Sequence, residues 1–226
     1  MATRSDRSSP LAVSLEIGSK RVFASALDWP GWCRSGKSVE LALETLAGYA
    51  SRYAPIADEA GLEFPVALAD RIEVVEQVPG DVTTDFGAPG AITPSEQAPV
   101  DAPDAARLVA LVEAAWTVFE RVADGAPEEV RKGPRGGGRD RTKMIRHVVE
   151  AEAGYARYLG LKPRVPEPGD TVAVAELRHA VAGALGRPWD GTPYSERKSW
   201  PPRYAARRFA WHALDHAWEM QDRSVL

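Results

Sequence analysis

The 226-residue sequence predicts a mixed fold, with a small α+β domain over residues 1–78 and an all-α four-helix bundle over residues 104–226. Three observations predict it. Apolar residues alternate over 11–17 and again over 22–27, the period of a strand with unlike faces. Beyond residue 104 they recur at every third and fourth position through four separate stretches, the period of a helix with one apolar face. Between the two, residues 79–103 contain no Lys or Arg and are dense in Pro, Gly and Thr, the composition of an extended linker rather than of a packed element.

Composition sets the outer bounds. With 44% hydrophobic and 27% charged residues the chain has the make-up of a globular protein. No apolar run approaches the ~18 residues that cross a bilayer. The amino-terminal M-A-T-R-S-D-R-S-S-P lacks an apolar export segment, so the cytoplasm is the expected location and no membrane is expected as a partner. Cys33 is the only cysteine, which excludes an internal disulfide and any metal site needing two thiolates of this chain. The net charge of −4 is unevenly spread: residues 1–103 carry 8 Lys and Arg against 15 Asp and Glu, residues 104–226 carry 20 against 17. A sequence pI near 5.7 is not that of a general nucleic-acid binder, so nucleic acid is not an expected partner.

In the first part, 11–17 and 22–27 read as strands joined by the Gly18-Ser19-Lys20 turn, a hairpin. Residues 28–37, D-W-P-G-W-C-R-S-G-K, read as a loop because Pro30, Gly31 and Gly36 interrupt them. Ser38 is placed to cap a helix running from Val39 to about Tyr53. Residues 65–68 and 72–78 read as further strands. The stretch F-A-S-A-L-D-W-P-G-W-C-R-S-G-K-S-V-E-L-A-L-E-T-L, from Phe23 to Leu46, resembles the strand, Pro-Gly loop and helix of HicB-like antitoxin domains. Pro30, Gly31, Gly36, Glu40 and Ala42 are the matched positions. The resemblance implies a small α+β fold that either binds a partner or packs on the module that follows it.

In the second part, Asp104 is placed to cap a helix over about 105–123, with Leu108, Leu111, Val112, Ala115, Val118, Phe119 and Val122 on its apolar face. A glycine-rich loop follows, basic at Arg131, Lys132, Arg135 and Arg139; its glycines do not fit a phosphate-binding pattern and read as a flexible flap. Asp140 and Asp170 then precede helices over 141–159 and 171–185. Residues 187–202, with four prolines and with Trp189, Tyr194 and Trp200, read as a long connection whose aromatics cover the bundle or its pocket. The last helix, 204–223, has no Gly or Pro in it.

That last helix carries the chemistry. His212 and His216 share one of its faces, a turn apart, with Phe209, Ala213 and Met220, while Arg207, Asp222 and Arg223 fall elsewhere on the wheel. Two inward imidazoles are either core histidines bonded to buried acceptors or two ligands of one metal ion. His147 shares the apolar face of helix 141–159 with Met144, Val148, Ala151 and Tyr155, so a third imidazole points inward from a second helix. Three such ligands leave a coordination position for water or substrate, the arrangement of a catalytic metal. His179 falls off the apolar face of its helix and reads as a surface residue.

An inward histidine on the second helix and H-x3-H on the fourth, within R-H-V-V-E-A-E-A-G-Y-A-R-Y-L-G at 146–160 and R-R-F-A-W-H-A-L-D-H-A-W-E at 207–219, resemble the DinB-like superfamily of metal-binding helical bundles. The resemblance covers about 104–226. It implies a divalent transition metal (Zn, Ni or Fe) on His147, His212 and His216, and a metal-dependent enzyme of thiol S-transferase or hydrolase type. A small-molecule substrate, a low-molecular-weight thiol and self-association into a homo-oligomer go with that reading. Glu152, Asp215 and Glu219 are the carboxylates near the histidines by helical position, and one of them is expected to orient a ligand imidazole. The alternative is a regulatory or interaction protein, with a partner on the HicB-like part and the bundle as a scaffold.

Overall fold

The computed structural model describes residues 10–132, 140–196 and 198–224. Residues 133–139 of the predicted glycine-rich flap lie outside the described residues. The fold is mixed α+β, with a four-stranded sheet and seven α-helices among the described residues.

Strands β1 (Leu11–Ile17) and β2 (Val22–Ala26) pair antiparallel as the alternation predicts. The stretch 28–37 is not all loop: β3 (Cys33–Gly36) pairs antiparallel with β2 immediately after the Pro30-Gly31 turn. Helix α1 (Val39–Gly48) starts at Ser38, whose side chain accepts the Leu41 N–H. The single helix expected to Tyr53 is two, because the chain breaks at Tyr49 and restarts as α2 (Ala50–Glu59). Residues 65–68 are not a strand; a 3₁₀ turn spans Val66–Asp70, and only then does β4 (Ile72–Pro79) lie parallel to β1 at the sheet edge. The sheet order is β3-β2-β1-β4.

Both glycines of the Pro-Gly motif are fixed by packing. Gly31 has φ +93°, and a Cβ there would lie 2.9 Å from Ala210 Cβ and 2.8 Å from Leu214 Cδ1. A Cβ on Gly36 would lie 2.4 Å from the Ala42 nitrogen, inside the first turn of α1. The turn is therefore the point at which the sheet meets the last helix.

Residues 79–103 are not an extended linker. They form α3 (Val82–Phe86), a 3₁₀ turn Ser95–Gln97 and a strap over the sheet that buries Thr84, Thr93, Glu96 and Val100. Burial is possible without Lys or Arg because acceptors and donors come from elsewhere. The buried Glu16 carboxylate of β1 accepts from the Thr84 hydroxyl and from the Gly90 and Ala91 N–H groups, both at 3.0 Å. Val100 bridges to Trp189.

Helix α4 (Ala102–Gly125) is capped by Asp101 rather than Asp104; the Asp101 side chain accepts the Asp104 N–H at 2.8 Å. Helix α5 (Arg141–Ala156) continues as a 3₁₀ turn Arg157–Leu159, and its N-cap residue Asp140 accepts from Lys132 instead of capping. Helix α6 (Thr171–Leu185) is capped by Asp170, and α7 spans Pro202–Ser224. Helix α7 packs on α4 and on α5, and α6 packs on the same two. Trp200 stacks on Tyr158 at 4.4 Å, so the long connection does cover the helices with its aromatics.

One hydrophobic core runs from Val13 and Leu15 of the sheet through Leu111 and Phe119 of α4 to Phe209 and Leu214 of α7. Helix α7 is the common element, buried on nearly every side through Leu214. That explains a departure from the helical wheel: Arg207, expected to fall elsewhere, is 5% exposed and ion-paired to Glu96 of the strap.

Candidate metal centre

His147 is half-buried on α5; His212 and His216 are buried on α7, 6% and 8% exposed. His147 meets His212 and His216, while Tyr155, two turns later on α5, meets His212 and Phe209, so the two helices run in opposite directions. Antiparallel packing turns an H-x3-H pair on one helix and a single histidine on the other into a three-membered cluster. One ring nitrogen from each lies within 4.8 Å of the others. The rings do not stack: their centroids are 4.8–5.0 Å apart and their planes cross at 66–88°, an edge-to-face arrangement.

The distances suit an ion. His212 Nε2 and His147 Nε2 are 3.3 Å apart. Two nitrogens each about 2.0–2.1 Å from a tetrahedral metal stand roughly 3.3 Å from one another. The same separation is also within reach of a direct N–H···N hydrogen bond. His216 has its tautomer set from outside, because its Nδ1 lies 2.9 Å from Glu219 Oε2. A carboxylate only accepts, so Nδ1 carries the proton and Nε2 presents its lone pair to the cluster. Glu219 is held in turn by Arg223, 2.9 Å from its other oxygen.

Of the three carboxylates near the histidines by helical position, Glu219 is the one that reaches a ligand. Asp215 is paired to Arg34 of β3 at 2.8 Å. Glu152 is 1% exposed and takes Arg178 of α6 through both oxygens, at 3.0 and 3.2 Å. Burial pushes its carboxyl above the ordinary value against the pull of Arg178. It ties α5 to α6 and pairs with Arg178 rather than with any of the three histidines. His179 is exposed on α6, as its position on the wheel predicts. Cys33 is fully buried, donates nothing to the cluster, and burial pushes its thiol up to about 11.

The wall beside the cluster was legible in the sequence only in part, in Tyr155 and Trp200 and not in Trp211 or Arg208. Tyr155, Trp200, Trp211 and Arg208 stand together there, with the Arg208 guanidinium 5.2 Å from the Tyr155 and Trp211 rings. Arg208 sits on a helix where charge suggests solvent, and its neighbours come from three other parts of the chain. A surface cleft of ≈ 750 Å³ between Val100, Asp101, Trp189 and Tyr194 includes none of the three histidines.

No family model, curated protein or solved structure matches this chain.

Proposed function

We propose that His147, His212 and His216 hold a divalent transition metal and that the protein is a metal-dependent enzyme of thiol S-transferase or hydrolase type. The observation that carries this reading is the convergence of three ring nitrogens within 4.8 Å at the α5–α7 interface. Three neutral imidazoles suit Zn, Ni or Fe and leave a coordination position for a ligand. An ion there supplies Lewis acidity, bringing the pKa of a thiol or water into the working range. Glu219 fixes the His216 tautomer and strengthens it as a donor. The thiol comes from outside the chain, since Cys33 is buried in the protonated form.

The likeness of residues 104–226 to DinB-like bundles supports the same reading. In the HicB-like part, Gly31 and Gly36 are explained by contacts with α7 and α1, which favours a small fold that packs on its neighbour over one kept for a partner. Elemental analysis of protein purified without chelators tests the proposal, with one equivalent of a transition metal expected. Protein that carries no metal and takes up none on titration with Zn, Ni or Fe would overturn it.

A further inference from the structure

Among the described residues three arginines are almost wholly buried: Arg178, Arg207 and Arg208, with 8%, 5% and 6% exposure. Arg178 is held by the carboxylates of Glu152 and Glu120, and Arg207 by that of Glu96. Arg208 differs. Among the described residues its guanidinium donates to neutral acceptors, Nη1 to the Pro89 carbonyl oxygen at 2.8 Å and Nη2 to the Tyr155 hydroxyl at 3.1 Å, and no carboxylate pairs with it. Its Nε is buried and has no hydrogen-bond partner among the described residues. A buried cation with an unused donor is costly to the fold unless an anion completes it.

The place of Arg208 says which anion. It precedes His212 by one turn of α7, and residues so spaced have Cβ atoms roughly 5–6 Å apart on one face. Tyr155, to which it donates, packs its ring 5.7 Å from the His212 ring. Tyr155, Trp211 and Trp200 lie around the guanidinium, 5.2, 5.2 and 6.0 Å from ring centroid to Cζ. On α5, Ala151 stands between His147 and Tyr155 on the same face, so the side chain between the histidine and the tyrosine that Arg208 bonds is a methyl group. A guanidinium whose Nε donates to no protein group among the described residues keeps a donor for the planar fork that matches a carboxylate.

We propose that Arg208 anchors the carboxylate of a small organic acid, so that the molecule served by this site is a short thiol acid or another carboxylic acid whose reactive end reaches the three histidines. The inference deepens the metal reading and rests on it for the position of that reactive end; the carboxylate contact is independent of the ion. Charge agrees. Three neutral imidazoles, a divalent ion and a guanidinium make a site that favours an anion.

The test titrates the full chain, metal-loaded and metal-free, with mercaptoacetate, 2-mercaptoethanol and inorganic phosphate, following the fluorescence of the tryptophans that include Trp200 and Trp211. Metal-loaded native protein is expected to bind mercaptoacetate at least about ten-fold more tightly than 2-mercaptoethanol, the worth of a charge-assisted bond. Arg208→Gln is expected to erase that preference while keeping its metal, and Arg208→Lys to keep part of it. Metal-free native protein is expected to give a saturable response to mercaptoacetate that Arg208→Gln lacks. Equal affinity for the two thiols, a preference that survives in Arg208→Gln, or tighter binding of phosphate than of mercaptoacetate would overturn the proposal. A native protein without metal would sink the metal reading, while the metal-free titration still decides Arg208. If Arg208→Gln does not fold, the preference of the native protein and its decline in Arg208→Lys decide the matter.

Discussion

The Nδ1 atom of His216 lies 2.9 Å from Glu219 Oε2, one turn further along the same helix, and this contact determines which nitrogen of the imidazole faces the cluster. Removing the carboxylate frees the ring to rotate and to exchange tautomers. Glu219→Ala is therefore expected to weaken metal binding about 10–100-fold without unfolding the chain. Competition with a chromogenic chelator measures it, and an unchanged Kd would remove Glu219 from the site.

His147→Ala and His212→Ala are each expected to lose stoichiometric metal, since two protein ligands hold an ion too weakly against exchange. His179→Ala, exposed on α6 and outside the cluster, is expected to keep it. Metal analysis after gel filtration separates the two outcomes. Retention in either of the first two variants would break the cluster as a site.

The strap over residues 79–103 depends on a buried ion pair, Arg207 with both oxygens of Glu96, one at 3.1 Å from Nη2. Glu96→Ala leaves a 5%-exposed guanidinium without its counter-ion. Breaking one side of such a pair costs about 3–5 kcal/mol. Urea denaturation is expected to show a loss of that size, and a loss below about 1 kcal/mol, the worth of a surface pair, would mean that the strap is held by other contacts.

Cys33 is expected to resist a thiol reagent at pH 8 in the native protein and to react as one equivalent in denaturant. It is fully buried beneath Trp211, and burial pushes its thiol from 9.0 up to about 11. The sign of the linkage follows from the direction. As pH rises through 9 the unfolded chain releases this proton while the native chain keeps it, so the unfolded state binds fewer protons and stability falls. That loss is expected to develop between about pH 9 and 11 in native protein and to be missing in Cys33→Ala, read from urea midpoints across the range.

Much of this molecule follows from local chemistry. The 3.6-residue period placed α4, α5, α6 and α7, the alternation placed β1 and β2, and Ser38 and Asp170 cap the helices they precede, because each of these depends on neighbours a few residues away. The H-x3-H spacing and the phase of His147 on its own helix were legible for the same reason. What brought the three imidazoles together was the antiparallel packing of α5 on α7, a relation between residues 65 apart, and no helical wheel contains it. Tertiary packing alone also decided the burial of Arg207 and Arg208. Helix α7 is covered by the strap on one side and by α4 and α5 on others, so charged positions that would be solvated on a lone helix acquire partners more than 100 residues away. The strap itself looked like a linker because its composition lacks cations and apolar periodicity. Its order comes from the Glu16 carboxylate and the Arg207 guanidinium, groups that lie outside it in sequence and reach it only once the sheet and α7 have met.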